Sequence, residues 1–178
     1  LLWPGGPGDP AFGRIHAEKG AREVMNIARA CDSRLVLAGI IQDQAYFDRF
    51  VAPQIDNDRV VYLGSVGPAE RSRLLGKARA LLHPIHFDEP FGLSVIESMA
   101  CGPPAVAFGR GAMPEIIENG RSGFLVTDEN DAIEAVARIA DIDRAACRGR
   151  IEEHFTLYRM LDDYVNVYET ILELSHRK

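Results

Sequence analysis

The sequence predicts an α/β fold: a single Rossmann-like three-layer α/β/α domain with a parallel sheet between its helices. Two observations carry this prediction. Short apolar segments alternate with amphipathic segments of about a dozen residues, which is the pattern of consecutive βαβ units with right-handed crossovers. Residues 34–41 (RLVLAGII) are almost continuously apolar, as expected of a strand that helices cover on both faces of a parallel sheet.

Each predicted strand is a short run rich in aliphatic or β-branched residues. In chain order the predicted strands are residues 34–41, 59–63, 79–83, 105–108 and 123–126. No strand is predicted near the start, because the chain is rich in glycine and proline as far as Pro10.

The predicted helices are segments whose apolar residues recur every three or four positions. They are residues 20–31, 43–50, 70–78, 91–100, 113–118, 129–140, 143–154 and 156–173. Thr156 is a candidate N-cap for the last of them. The apolar stripe of that last helix is interpreted as a packing face, part of which would dock onto a further lobe of the protein. The stripe consists of Tyr158, Leu161, Tyr164, Val165 and Tyr168.

Composition narrows the functional class. The chain has 178 residues, 47% of them hydrophobic, which is enough to build the core of one domain. Its 26 acidic and 20 basic residues give a net charge of −6, which argues against a general binder of nucleic acids or anionic membranes. No apolar run approaches the roughly 20 residues that span a bilayer.

The cysteines indicate a reducing compartment. Cys31, Cys101 and Cys147 are odd in number and far apart, so they form neither a disulfide framework nor a zinc site. A cytoplasmic location is therefore expected. Cys101 has no neighbouring base and is interpreted as a small core residue.

The junction between a predicted strand and helix at residues 83–97 (HPIHFDEPFGLSVIE) is the candidate binding site. In an open parallel sheet, ligands lie beyond the carboxyl ends of the strands, where helix N-termini point. The backbone N–H groups of Phe91, Gly92 and Leu93 would form an anion site at the start of the predicted helix. Gly92 would let the backbone come close to the ligand.

Glu89 and Glu97 flank this anion site. If the segment between them were helical, the two residues would be ~12 Å apart. Because carboxylates accept hydrogen bonds from hydroxyls, this pair suits a ligand with a central phosphate group and hydroxyls at both ends. The alternative is that both are ordinary surface carboxylates, which the helix dipole favours near a helix start.

Four segments together resemble the retaining glycosyltransferases of family 4, which have the GT-B fold. Residues 89–102 (EPFGLSVIESMACG) resemble the E-x7-E signature of that family. Residues 13–20 (GRIHAEKG) are similar to its G-R-x-x-x-E-K-G loop, residues 109–117 (GRGAMPEII) to its Gly-rich turn and Pro-Glu pair, and residues 120–126 (GRSGFLV) to its G-x-x-G-F-L-V segment. The resemblance covers nearly the whole chain after residue 12.

The resemblance implies roles for four charged residues. Arg14 and Lys19 match the cations that hold the diphosphate of the donor in place of a metal ion, and they would stabilise the leaving nucleoside diphosphate. Glu97 matches the residue that binds the donor ribose. Glu89 matches the residue that faces the donor sugar, where its role as nucleophile or stabiliser is open and front-side displacement is the usual proposal.

The resemblance also implies the ligands and the domain organisation. Gly64 and Val66 lie where the backbone of the family contacts the base of the donor, a UDP-, GDP- or ADP-sugar, and no separate cofactor is expected. The chain, residues 1–178, corresponds to the C-terminal donor-binding half. An N-terminal domain, which would bind a sugar, lipid or small-molecule acceptor and could contact the inner membrane, is absent from it. The strand before residue 13 is expected to be degenerate or to precede Leu1.

Two alternative functions stay open: a non-catalytic nucleotide-binding or interaction module, and a GT-B-like nucleotide-sugar epimerase. A metal site is not expected. Residues 56–58 and 141–143 both match the D-x-D pattern of metal-dependent glycosyltransferases, but their positions indicate turn or cap residues. His83 and His86 have no third ligand at a recognisable spacing and are interpreted as structural or pocket-lining residues.

Overall fold

The structure, a computed structural model, describes residues 9–176. Within them, six parallel strands form two three-stranded sheets in the orders β1-β2-β3 and β4-β5-β6. Because β1 also contacts β4, the strands follow one another across the molecule as β3-β2-β1-β4-β5-β6, the order of a doubly wound Rossmann-type fold. The strands are β1 Asp9–Phe12, β2 Leu35–Ala38, β3 Val60–Tyr62, β4 Leu81–His83, β5 Ala105–Phe108 and β6 Gly123–Val126.

The α/β prediction is confirmed, and eight α-helices connect or follow the strands within residues 9–176. They are α1 Ala21–Ala30, α2 Gln44–Tyr46, α3 Pro68–Lys77, α4 Leu93–Ala100, α5 Met113–Ile116, α6 Glu129–Ala137, α7 Arg144–His154 and α8 Leu157–His176. The helix predicted at residues 43–50 is one α-turn that continues as the π-helical turn Phe47–Val51. The helix predicted from residue 91 begins at Leu93, because Gly92 has a left-handed backbone with φ 83°.

The strand that the sequence pattern missed is β1. Its residues, Asp-Pro-Ala-Phe, lack the β-branched pattern of a strand, yet the segment pairs in parallel with β2, Asp9 opposite Leu35 and Phe12 opposite Ala38. Proline is tolerated here because β1 forms a hydrogen-bonded ladder on one side only, with β2, and contacts β4 without pairing with it. Of the two expectations for this strand, the degenerate strand is therefore correct.

The core lies on both faces of the sheets. All side chains of β2 and β5 are buried, and α1 and α4 pack Ile27 and Met99 into the same cluster. Full burial of one such side chain contributes about 1.5–3 kcal/mol. Cys147 belongs to this cluster, and burial raises the pKa of its thiol to about 12.

The C-terminal helix α8, Leu157–His176, forms where the sequence predicts a helix. Thr156 does cap it, since Thr156 Oγ1 accepts a hydrogen bond from the N–H of Arg159. Its apolar stripe, however, is exposed and does not pack on this domain; Tyr158 is 79% and Tyr164 57% exposed. None of the helices within residues 9–176 is both long enough and apolar enough to cross a membrane.

Candidate functional site

Two loops meet at the carboxyl ends of β1 and β4, where the strand order reverses and where doubly wound folds bind ligands. The loop after β1 runs to Gly20, and the loop after β4 begins at Pro84. Gly20 has φ 72°, and a Cβ there would overlap the carbonyl oxygen of Pro84. The N–H of His86 also donates to the carbonyl oxygen of Glu18, 2.9 Å away. These contacts hold the two loops against each other.

Lys19 and Glu89 form an ion pair across the two loops. Lys19 Nζ lies 2.8 Å from Glu89 Oε2, and the side chains are only 22% and 16% exposed. The same Nζ lies 4.4 Å from the ring centroid of Phe87, a cation–π distance. The structure therefore brings together the predicted diphosphate-binding cation and the predicted sugar-facing carboxylate.

The glycine turn after β5 contacts the backbone of Glu89. The N–H of Ala112 donates to the carbonyl oxygen of Glu89 at 2.8 Å. Gly111 has φ 54°, and a Cβ there would overlap the backbone of Glu89. The turn thus fixes the backbone from which the Glu89 side chain reaches Lys19.

His83, the last residue of β4, is buried beneath this ion pair. Its side chain is 6% exposed, and its Nε2 has no hydrogen-bond partner among the described residues. Burial lowers the pKa of His83 to about 4; the charge of Lys19 adds to this effect and that of Glu89 opposes it. His83 is therefore a neutral imidazole at pH 7. It lines a cavity of about 30 Å³ together with Arg14 and Lys19, which agrees with the predicted pocket-lining role.

Glu97 pairs with a residue that the sequence analysis did not single out. Arg71 Nη1, on α3, lies 2.9 Å and 2.8 Å from the two carboxylate oxygens of Glu97 on α4. Because the two residues are 26 positions apart in the sequence, no local motif revealed the contact. The only signal in the sequence was a basic residue in the predicted helix that follows Gly64 and Val66, the residues expected to contact the nucleotide base of the donor.

A second cavity of about 230 Å³ lies where the loops after β1, β2 and β3 meet. It contains two of the predicted site residues, Arg14 and Val66, and it also contains Arg71. Gly64 borders this region and accepts a hydrogen bond from the N–H of Gly39 at 2.7 Å. The residues that line the cavity are Gly13, Arg14, Gly39, Ile40, Ser65, Val66 and Arg71.

The helix α4, at whose start the anion site is predicted, begins two residues later than expected. Because the helix begins at Leu93, only Leu93 of the three predicted N–H donors belongs to it. The carbonyl oxygen of Gly92 accepts from the N–H groups of Val95 and Ile96. The side chain of Phe91 lines an apolar cavity of about 460 Å³ against the base of α8.

The turn and cap interpretations of the two D-x-D segments are confirmed. Asp56 Oδ1 accepts hydrogen bonds from three backbone N–H groups, including that of Val60 at 2.8 Å, which lower the pKa of Asp56. Asp143 caps α7.

The second histidine of the segment, His86, pairs with a carboxylate: His86 Nε2 lies 3.1 Å from Glu23 Oε1. Among residues 13–175, whose side chains the structure describes, no cluster of three or more His, Cys, Asp or Glu side chains could hold a metal ion.

The sequence of the chain matches a known protein family and several individual proteins. The model of the family "Glycosyl transferases group 1" matches residues 11–142. The chain is 29% identical to the alpha-maltose-1-phosphate synthase of Mycolicibacterium smegmatis, over 89% of this chain and 46% of that protein. It is 32% identical to the D-inositol 3-phosphate glycosyltransferase of Pseudarthrobacter chlorophenolicus, over 75% of this chain and 36% of that protein.

Among solved structures, the chain superposes on AviGT4, a glycosyltransferase involved in avilamycin A biosynthesis, with a TM-score of 0.80 and 26% identity. The match covers 94% of this chain and 52% of AviGT4. The chain therefore spans about half, or less, of the length of the proteins that it matches.

Proposed function

The chain belongs to the glycosyl transferases group 1, and on that basis we propose that it is the nucleotide-sugar-binding domain of a retaining, metal-independent glycosyltransferase of family 4. The enzyme would move a hexosyl group from a nucleoside diphosphate sugar to an acceptor, without a separate cofactor. Cys31, Cys101 and Cys147 are free thiols, which supports a reducing, cytoplasmic location as part of this proposal.

The observation that carries the proposal is a connected row of charged side chains along the carboxyl edge of the strands. Glu89 contacts Lys19, Lys19 and Arg14 line one cavity, Arg14 and Arg71 line the next, and Arg71 contacts Glu97. The row has carboxylates at its two ends and cations between them.

This order of charges matches the order of groups in a nucleoside diphosphate sugar. The sugar hydroxyls would lie near Glu89 and the diphosphate near Lys19 and Arg14. The ribose would lie near Glu97, and the base near Gly64 and Val66. Fixed cations at the diphosphate would stabilise the charge that develops on the leaving group. The guanidinium of Arg14 suits phosphate oxygens because its donors match them in pairs.

We further propose that a second domain completes the enzyme and binds the acceptor. The chain spans about half of its relatives, and the exposed apolar face of α8 offers a surface on which such a domain would pack. Because the cleft would then lie between two domains, we expect little or no sugar transfer by the 178-residue chain alone.

Calorimetric titration of the chain with UDP, GDP and ADP tests the donor site. We expect at least one of them to bind with and without EDTA, and Glu97→Gln to weaken that binding. Glu152→Gln is the matched control, because Glu152 pairs with Arg148 on the exposed face of α7. Absence of binding by all three nucleotides would refute the proposed donor site.

A further inference from the structure

The Arg71–Glu97 pair is the feature of the site that sequence motifs do not explain. It joins α3 to α4, and both side chains are partly exposed, 34% for Arg71 and 41% for Glu97. A pair with this exposure is screened by solvent and contributes little to folding. Its placement at the carboxyl edge of the strands therefore calls for a reason other than stability.

Arg73, two residues further along α3, provides the comparison. Arg73 pairs with Glu70 within the same helix at spacing i,i+3 and does not line the cavity. Arg71 instead reaches a neighbouring helix and also lines the cavity of about 230 Å³ with Arg14 and Val66. Arg73 thus pairs within its own helix, whereas Arg71 lies at the candidate site.

The contact leaves part of the Glu97 carboxylate available to a ligand. A carboxylate accepts up to about four hydrogen bonds, and Arg71 Nη1 reaches both oxygens from one side at 2.9 Å and 2.8 Å. The guanidinium also holds the carboxylate in one orientation through these charge-assisted hydrogen bonds. A carboxylate oriented by an arginine that itself lines the cavity is a specific acceptor for a ligand hydroxyl that reaches it.

We propose that Arg71 is a positioning residue for the donor nucleoside: it holds the Glu97 carboxylate in the orientation that accepts a ribose hydroxyl, and so makes the site prefer ribonucleotides over deoxyribonucleotides. This inference rests on the proposed donor site. It goes beyond it by assigning a role to Arg71 and a sugar preference to the nucleotide pocket.

The test compares UDP, GDP or ADP, whichever binds the chain most tightly, with its 2′-deoxy and 3′-deoxy counterparts by calorimetry. For the wild-type chain we expect at least one deoxy nucleotide to bind about tenfold more weakly, the usual effect of losing a hydrogen bond to a charged group. Arg71→Gln should weaken the ribonucleotide by a similar factor and leave that deoxy nucleotide unchanged. Glu97→Gln should do the same.

Two further variants complete the design. Arg71→Lys, which keeps the charge, should restore part of the preference for the ribonucleotide. Arg73→Gln should bind all nucleotides as the wild type does. Thermal unfolding of each variant verifies that it is folded, and if Arg71→Gln does not fold, Arg71→Lys must show a reduced preference for the proposal to stand.

Three results would overturn the inference. One is a wild-type preference that persists in Arg71→Gln but disappears in Glu97→Gln. Another is an equal loss of affinity for ribo- and deoxyribonucleotides in Arg71→Gln, which would indicate a charge effect on the diphosphate. The third is the absence of any preference in a wild-type chain that binds nucleotides. Failure of the wild type to bind any nucleotide would instead refute the donor site itself.

Discussion

Replacing Glu89 by glutamine should make the protein bind a free nucleoside diphosphate more tightly. Lys19 Nζ lies 2.8 Å from Glu89 Oε2, so a diphosphate that uses Lys19 has to compete with that carboxylate. A nucleoside diphosphate carries no donor sugar. The substitution therefore removes the competitor without removing a favourable contact to this ligand.

The size of the effect follows from the distance and the burial of the pair. At 2.8 Å and an effective dielectric constant of about 20, the Coulomb attraction is about 6 kcal/mol before desolvation is counted. Desolvation cancels most of this, and exposed ion pairs contribute up to about 1 kcal/mol. Since Lys19 and Glu89 are only 22% and 16% exposed, we expect about 1 kcal/mol, or roughly a fivefold lower Kd.

Calorimetric titration of the nucleotide that binds the wild type measures this change. Glu152→Gln, which also removes one negative charge but lies in an exposed i,i+4 pair, should leave Kd nearly unchanged. The double variant Lys19→Met with Glu89→Gln should bind more weakly than the wild type. An unchanged or higher Kd for Glu89→Gln would refute the idea that Glu89 competes with the diphosphate for Lys19.

Three further predictions concern stability and charge. Gly111→Ala should lower the free energy of unfolding, measured by urea titration, by about 2 kcal/mol or more, because Gly111 has φ 54° and a Cβ there would overlap the backbone of Glu89. The control is Gly149→Ala, in a helix with open space around it, which should be neutral or stabilising in the same titration. The imidazole of His83 should titrate by NMR near pH 4 rather than 6.5. Since the unfolded chain then binds the extra proton, the contribution of His83 to stability is complete above pH 6.5 and declines as the pH falls toward 4, and a resonance titrating near 6.5 would contradict its burial. Leu161→Ser, on the exposed face of α8, should change the unfolding free energy of this chain by less than about 0.5 kcal/mol, whereas Met99→Ala in the core should cost about 2–5 kcal/mol.

The elements with local signals were predictable from the sequence. The strand β6 has the predicted bounds, Gly123–Val126, and β2, Leu35–Ala38, lies inside the predicted run of residues 34–41. Both are apolar segments between turns, so their pattern is decided within a few residues. The strand β1 was missed because its pairing with β2, and not its own composition, makes it a strand.

The residues of the candidate site can be separated in the same way, into those with a local signal in the sequence and those without one. Glu89, Glu97, Lys19 and Arg14 lie in segments with recognisable spacing. In the structure, Arg14 and Lys19 line one cavity, Glu89 pairs with Lys19, and Glu97 pairs with Arg71, which lines the next cavity. Arg71 was missed because its contact with Glu97 depends on the packing of α3 against α4. A pattern along one segment cannot encode a distance between two helices.

The apolar stripe of α8 was predicted as a packing face, and periodicity did identify which residues share that face. Periodicity indicates that one side of a helix is apolar, but it does not say what covers that side. Tyr158, Tyr164 and Tyr168 are exposed in this chain. The stripe is thus exposed within the described residues, and the docking of part of it onto a further lobe stays a prediction.

The charges of the site explain how an acidic chain could bind an anion. Lys19 is neutralised by Glu89, and Arg71 by Glu97. Arg14 has no acidic partner among residues 13–175, whose side chains the structure describes, and its exposed side chain lines both cavities. A diphosphate would therefore meet Arg14 first and gain Lys19 only by displacing Glu89. If the donor sugar then occupies Glu89, the ligand itself replaces the contact that it breaks, so a nucleotide sugar would satisfy both ends of the row.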